Sequence, residues 1–179
     1  MQQLISTKFA YIEDSIKAML EPLKSDQNFL RLINYLSDFP YQQSYYDDAQ
    51  NLVLQPDIVM PYDLIGNGNI LLTLFNPLIV KDAKVYIFFS HLHFNSNDTT
   101  ALIEHNFVMD IVIPYENIQM GDQLRNIRIC DEICRCIDNQ SAIADVGRVS
   151  CNKGDSYIVN DIYEGIRLYF KADNRRFQA

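Results

Sequence analysis

The chain has 179 residues, enough for one ordinary domain with a substantial core or a domain plus a helical appendage. Apolar residues make up 48% and charged residues 21%, which excludes a disordered chain. A formal charge of −8 argues against a duplex-coating surface, because such surfaces displace counterions from phosphates with Lys and Arg.

No membrane segment is expected, since the densest apolar run, "VYIFF" at 85–89, is far too short to span a bilayer. The N-terminal stretch lacks a secretory layout and meets acids at Glu13 and Asp14, which suggests cytoplasmic origin and four free thiols. Frequent Ile, Asn and Tyr, with few Gly and Pro and no Trp, suit an AT-rich coding genome.

In chain order, Phe9, Ile12, Ile16, Met19 and Leu20 make a helical stripe, with Ser6 or Thr7 as N-cap and Pro22 ending that helix or opening the next. Phe29, Leu30, Leu32, Ile33 and Leu36 follow Ser25-Asp26 as a second stripe, so residues 1–40 read as a helical hairpin. Residues 41–57, polar and tyrosine-rich, read as a connector without clear period. Residues 58–179 then form an α+β domain. Its expected strands are "NILLTLF" (69–75), "AKVYIFFSHLHF" (83–94) and "NFVMDIVIP" (106–114), the last two forming a hairpin across "FNSNDTT". "DVGRVSC", "SYIVNDI" and "YEGIRLYFKA" read as later strands, with "NKGD" at 152–155 a tight turn. In the last, Ile166, Leu168 and Phe170 face one way and Arg167, Tyr169 and Lys171 the other. The expected architecture is an N-terminal helical hairpin and a largely antiparallel sheet, packed by one amphipathic helix.

That helix is "QLRNIRICDEICRCIDNQ" (123–140). Leu124, Ile127, Cys130, Ile133 or Cys134, and Ile137 fall at steps of three or four and define its expected buried stripe, with Cys136 off it. Cys130 and Cys134 then serve as small buried hydrophobes. A metal reading would join them to His91 and His93, two apart on a strand and so on one face. Cys-x3-Cys-x-Cys is nevertheless no zinc-knuckle spacing. A Cys130–Cys134 disulfide fails on helix geometry. "GNGN" at 66–69 lacks the further residues of a nucleotide loop. Asp131 and Glu132 point about 100° apart, a poor cation site. No catalytic residue, metal or cofactor is therefore assigned.

The succession of a helical N-terminus, a Tyr- and Gln-rich connector, "IVMPY", a hairpin ending "FVMDIVIPY", the helix "GDQLRNIRICDEICRCID" and a closing "YEGIRLYFKA" resembles the tail-terminator and neck (head–tail completion) proteins of tailed bacteriophages over about residues 55–171. In that family a late strand opens on Tyr-x-Gly, matched here by Tyr163, Glu164 and Gly165. The resemblance implies a non-enzymatic virion protein at the head–tail junction. Its copies would form a ring, possibly a hexamer, against tail-tube and neck or portal-connector proteins, with genomic DNA passing through the lumen unbound and no membrane partner. Acid-bearing loops such as "NSND" and "YQQSYYDD" would face that channel or neighbouring rings. Tyr45, Tyr46, Arg148, Arg167 and Tyr169 are the candidate interface residues, since aromatics and arginine are the usual anchors. Two other classes compete: a metal-dependent hydrolase using His91 and His93, and a monomeric acidic inhibitor module.

Overall fold

The computed structural model describes residues 8–66, 68–97, 102–138 and 148–175. Helix α1 (Lys8–Ser25) and helix α2 (Gln27–Asn34) are separated only by Asp26. The carboxylate of Asp26 accepts the Phe29 N–H at 2.8 Å and so caps α2. Pro22 neither ends nor opens a helix; it lies inside α1. Met19, Leu20 and Leu23, all fully or nearly buried around it, hold the helix against the core and outweigh the one backbone bond that proline removes. The N-cap expected at Ser6 or Thr7 lies outside the described residues.

The connector is not without structure. β1 (Ser44–Tyr46) and β2 (Leu52–Leu54) pair antiparallel as a small separate hairpin, turned through Asp47 and Asn51. A short 3-10 turn (Pro61–Leu64) and β3 (Ile70–Leu71) follow. The long strand expected at 69–75 shrinks to these two residues, and Leu72 and Leu74 stand exposed beyond it. β4 (Tyr86–Asn97) and β5 (Leu102–Pro114) form the expected hairpin, whose connecting residues lie outside the described set. A minor pair, β6 (Gln119–Met120) and β7 (Gln123–Leu124), leads into α3 (Arg125–Ile137). β8 (Arg148–Ile158) and β9 (Tyr163–Arg175) complete a five-stranded sheet in the order β3-β4-β5-β9-β8, parallel only between β3 and β4. The fold is α+β.

"NKGD" is not a turn. β8 runs straight through it, and the register shift between Cys151 and Lys153 shows that Asn152 is accommodated as a bulge. Turn-type residues on an edge strand have only one neighbour to satisfy, so they need not end it.

Helices α1, α2 and α3 cover one face of the sheet. Met19, Leu23, Phe29, Leu30 and Ile33 from the first two, Ile129, Ile133 and Ile137 from α3, and Ile87, Phe89, Phe107, Met109, Ile166 and Phe170 from the strands form one apolar cluster. Each such side chain, withdrawn from water, contributes ~1.5–3 kcal/mol. In β9 the expected alternation holds, with Ile166, Leu168 and Phe170 on this covered side.

The buried seam of α3 differs from the stripe read by hydrophobicity. Arg125, Asn126, Ile129, Glu132, Ile133, Cys136 and Ile137 are buried, whereas Leu124 and Ile127 are about half exposed. Cys130 and Cys134 are half-buried at the seam's margin, and Cys136, expected off it, is inside. The cause is polar. The fully buried Arg125 donates to the carbonyls of Asn117, Leu32, Tyr35 and Ser37, at 2.9, 3.0, 2.7 and 2.5 Å. Asn126 bonds Glu164, and Glu132 bonds Arg135, which reaches Asp26. These directed bonds turn the helix by about one residue, away from the orientation its aliphatic side chains alone would select.

Candidate functional site

The β1–β2 hairpin is an arm separate from the main sheet, with one side turned inward and one outward. Its root is held by Arg31 of α2, a buried guanidinium whose Nε donates to the Pro40 carbonyl at 2.8 Å and Nη1 to the Gln55 carbonyl at 2.5 Å. The same group bonds the Gln42 carbonyl and pairs with Asp57 at 3.3 Å. Buried Gln55 adds a bond to the Phe39 carbonyl at 2.8 Å. The register Tyr45↔Val53 puts those two on one side of the arm, where both are half-buried and Tyr45 lies against Phe39, rings 5.8 Å apart. Tyr46↔Leu52 and Ser44↔Leu54 share the other side. There Tyr46, Leu52 and Leu54 are 66, 54 and 68% exposed. An arm rooted by a buried arginine thus presents a small apolar platform to the outside. Of the two tyrosines expected at an interface, Tyr46 is on that platform and Tyr45 is turned inward.

The remaining interface candidates lie elsewhere. Arg148 is exposed at the start of edge strand β8. Arg167 and Tyr169 sit on the sheet face opposite the helices. Arg167 chelates the fully buried Asp110, Nε to Oδ1 at 2.7 Å and Nη2 to Oδ2 at 3.0 Å, and Tyr157 donates to the same carboxylate at 3.0 Å. Burial, followed by the Asp110 charge, pushes the Tyr157 hydroxyl well above its ordinary pKa, so it stays a donor. Lys153 lies 5.5 Å over the Tyr169 ring. Gly165 explains its own identity here: a Cβ would stand 2.3 Å from the Tyr157 ring, which covers the glycine opposite it in the ladder. This triad braces the sheet. A second apolar group, Val80, Tyr86, Phe88, Val112 and Tyr163, seals the rest of the face.

The histidine pair of the hydrolase reading is separated by the backbone. A bulge at Leu92 sets His91 opposite Phe107 but position 93 opposite Asn106, so the two positions fall on opposite faces of the sheet; the side chain of His93 lies outside the described part. His91 meets His105 instead, ring centroids 5.8 Å apart, with Phe107 against both. Burial, reinforced by His91, lowers the pKa of His105 to about 4. Among the described residues no group of three or more His, Cys, Asp or Glu could hold a metal ion.

Three thiols do gather. Cys130 and Cys134, one turn apart on α3, and Cys151 on β8 all pack at the margin of the main core. Burial pushes the Cys130 thiol up to about 12 and that of Cys136, apart from this group, up to about 11. The interaction between the Cys134 and Cys151 side chains draws the Cys151 thiol down to about 7 and pushes that of Cys134 up.

An α+β domain whose sheet is covered on one side by helices, and which extends an apolar-faced arm, defines the class of the molecule. The chain belongs to the YomW family, whose sequence model matches residues 26–172, and this is a phage-associated family. The match begins at the α2 cap and takes in the arm, the sheet and α3. No curated protein matches the chain.

Neither composition nor period singles out Leu52 and Leu54, although "LVL" facing "SYY" across a polar turn is a legible hairpin signal. Arg31 and Arg125 carried no signal of their own, because their partners are backbone carbonyls.

Proposed function

We propose that this chain is a non-enzymatic virion structural protein whose copies close into a ring at the phage head–tail junction, as a tail terminator or neck component. The observation that supports this reading best is the outward platform of Tyr46, Leu52 and Leu54 on an arm rooted by Arg31. A small β-ribbon with one apolar side exposed and the other seated on its own domain is suited to reach a neighbouring copy. Head-to-tail contact of this kind closes when the rotation per copy divides a full turn. The family's phage association supplies the setting. Tail-tube and neck or portal-connector proteins are the expected neighbours above and below the ring. The excess of acids suits a lumen along which DNA slides, since it offers phosphates no counterion release.

Tyr46 is the proposed contact to a neighbouring copy, with Arg148 and Tyr169 as accessory contacts; Tyr45 and Arg167 act from behind, holding the arm and sheet in shape. Gold-labelled antibody against the chain, imaged on purified phage particles, tests the location. Label at the head–tail junction is expected, and particles without the chain would overturn the proposal.

A further inference from the structure

We propose that β2 of the arm adds as a further strand to the outer edge of β8 in a neighbouring copy, with Leu52 opposite Ile158 and Leu54 opposite Ser156. The inference rests on the ring reading above and names the surface that receives the arm. Residues of an antiparallel ladder alternate between pairs that exchange both backbone bonds and pairs whose N–H and C=O turn away. The Val159 N–H donates to the Tyr163 carbonyl at 3.1 Å, so Tyr157, Asp155 and Lys153 direct their backbone groups to β9. Gly154, Ser156 and Ile158 therefore aim theirs outward. All three are exposed, and no described residue bonds those groups. The bulge at Asn152 reverses the alternation, and beyond it the outward N–H of Cys151 is already given to Asp138 at 2.8 Å. The open stretch of this edge is thus 154–158.

The arm carries the matching pattern. The Asp47 N–H donates to the Asn51 carbonyl at 3.0 Å and the Gln55 N–H to the Gln43 carbonyl at 2.6 Å, which makes Tyr45 and Val53 the bonded pair between them. Leu52 and Leu54 then turn their backbone groups away from β1. Antiparallel docking that pairs Leu52 with Ile158 brings together two apolar side chains, 54 and 79% exposed, on one face of the extended sheet. Counting on, Pro56 falls opposite Gly154 and, lacking an N–H, ends the pairing. Asp57 falls opposite Lys153, a negative against a positive side chain, both more than half exposed. Sliding the arm by two residues either sets Pro56 opposite Ser156 or leaves Ile158 facing Gln50. Edge and arm are different surfaces of the chain, so the contact is head-to-tail, the kind that closes into a ring. Backbone bonds carry it, as they do wherever an extended segment docks on a sheet edge.

Mass photometry of Ser156→Pro, beside the parent and Ser156→Ala, tests those backbone bonds. Proline removes only an outward N–H at this position and is tolerated on edge strands. The parent and Ser156→Ala should assemble, and Ser156→Pro should be a monomer with the parent's melting temperature. In a second measurement, Leu52→Cys chains and Ile158→Cys chains are mixed, treated with a short bis-maleimide and digested. Mass spectrometry should find peptides joining position 52 of one chain to position 158 of the other, whether or not Ser156→Pro folds. An assembled parent without the 52–158 link, or a folded Ser156→Pro that still assembles, overturns strand addition and leaves the arm contact standing. A parent that stays monomeric overturns both.

Discussion

The helix-covered face of the sheet and the tyrosine-rich arm use one device for opposite ends. In each, a buried arginine gathers backbone carbonyls: Arg125 takes those of Leu32, Tyr35, Ser37 and Asn117, and Arg31 those of Pro40, Gln42 and Gln55. On the covered face that bonding is enclosed by aliphatic side chains, and burial of area dominates stability. On the arm it stands nearly alone, fixing a hairpin whose apolar side remains in water. Directed polar bonds position an element, and apolar surface then either completes the fold or stays in water.

The sharpest way to break this contrast is Arg125→Met. Four carbonyls lose a charged donor at once, and unfolding in urea should show a loss of ~3–5 kcal/mol. Next comes Arg167→Met, which leaves the Asp110 carboxylate buried with Tyr157 as its remaining side-chain donor, for a loss of ~3 kcal/mol in the same assay. Neither change should alter hydrogen exchange of the arm relative to the rest of the chain. Arg31→Met should do the reverse, raising amide exchange at 44–54 well above that of β5 and β9.

A smaller effect sharpens the covered face alone. His105 has its pKa lowered from 6.5 to about 4 in the fold, so the unfolded chain binds the proton more readily. Stability is complete above pH 6.5, falls as the pH drops, and has lost this contribution once the pH passes below about 4, amounting to ~2–3 kcal/mol. Thermal melts across that range should show the slope, and His105→Leu should flatten it. The smallest effect on stability belongs to the platform. Serine at Tyr46, Leu52 and Leu54 should change the unfolding free energy by ~0.5 kcal/mol or less each, as expected for exposed positions.

How much could be read beforehand follows the same division. Strand alternation from Ile166 to Lys171 and the β4–β5 pairing were legible because period-two burial is written directly in side-chain polarity. A hydrophobic count places the seam of α3 about one residue off because Arg125 and Asn126 are buried through partners distant in sequence, which no local pattern detects. The bulge at Leu92 was equally hidden, and it alone decides that His91 meets His105 and faces away from position 93. Tyr45 and Tyr46 are adjacent and chemically alike; only the hairpin register tells which one is outside. That Cys151 lies at the C-terminal end of α3, its N–H bonded to Asp138, is likewise a tertiary fact.

The central claim is that the arm joins copies of this chain to one another. Mass photometry of the purified protein over increasing concentration, beside the Tyr46, Leu52 and Leu54 serine variant, tests it most directly. A single discrete oligomer of closed-ring mass is expected for the parent and monomer for the variant, with equal melting temperatures. A parent that stays monomeric at the highest concentration, or a variant that still assembles, would contradict it.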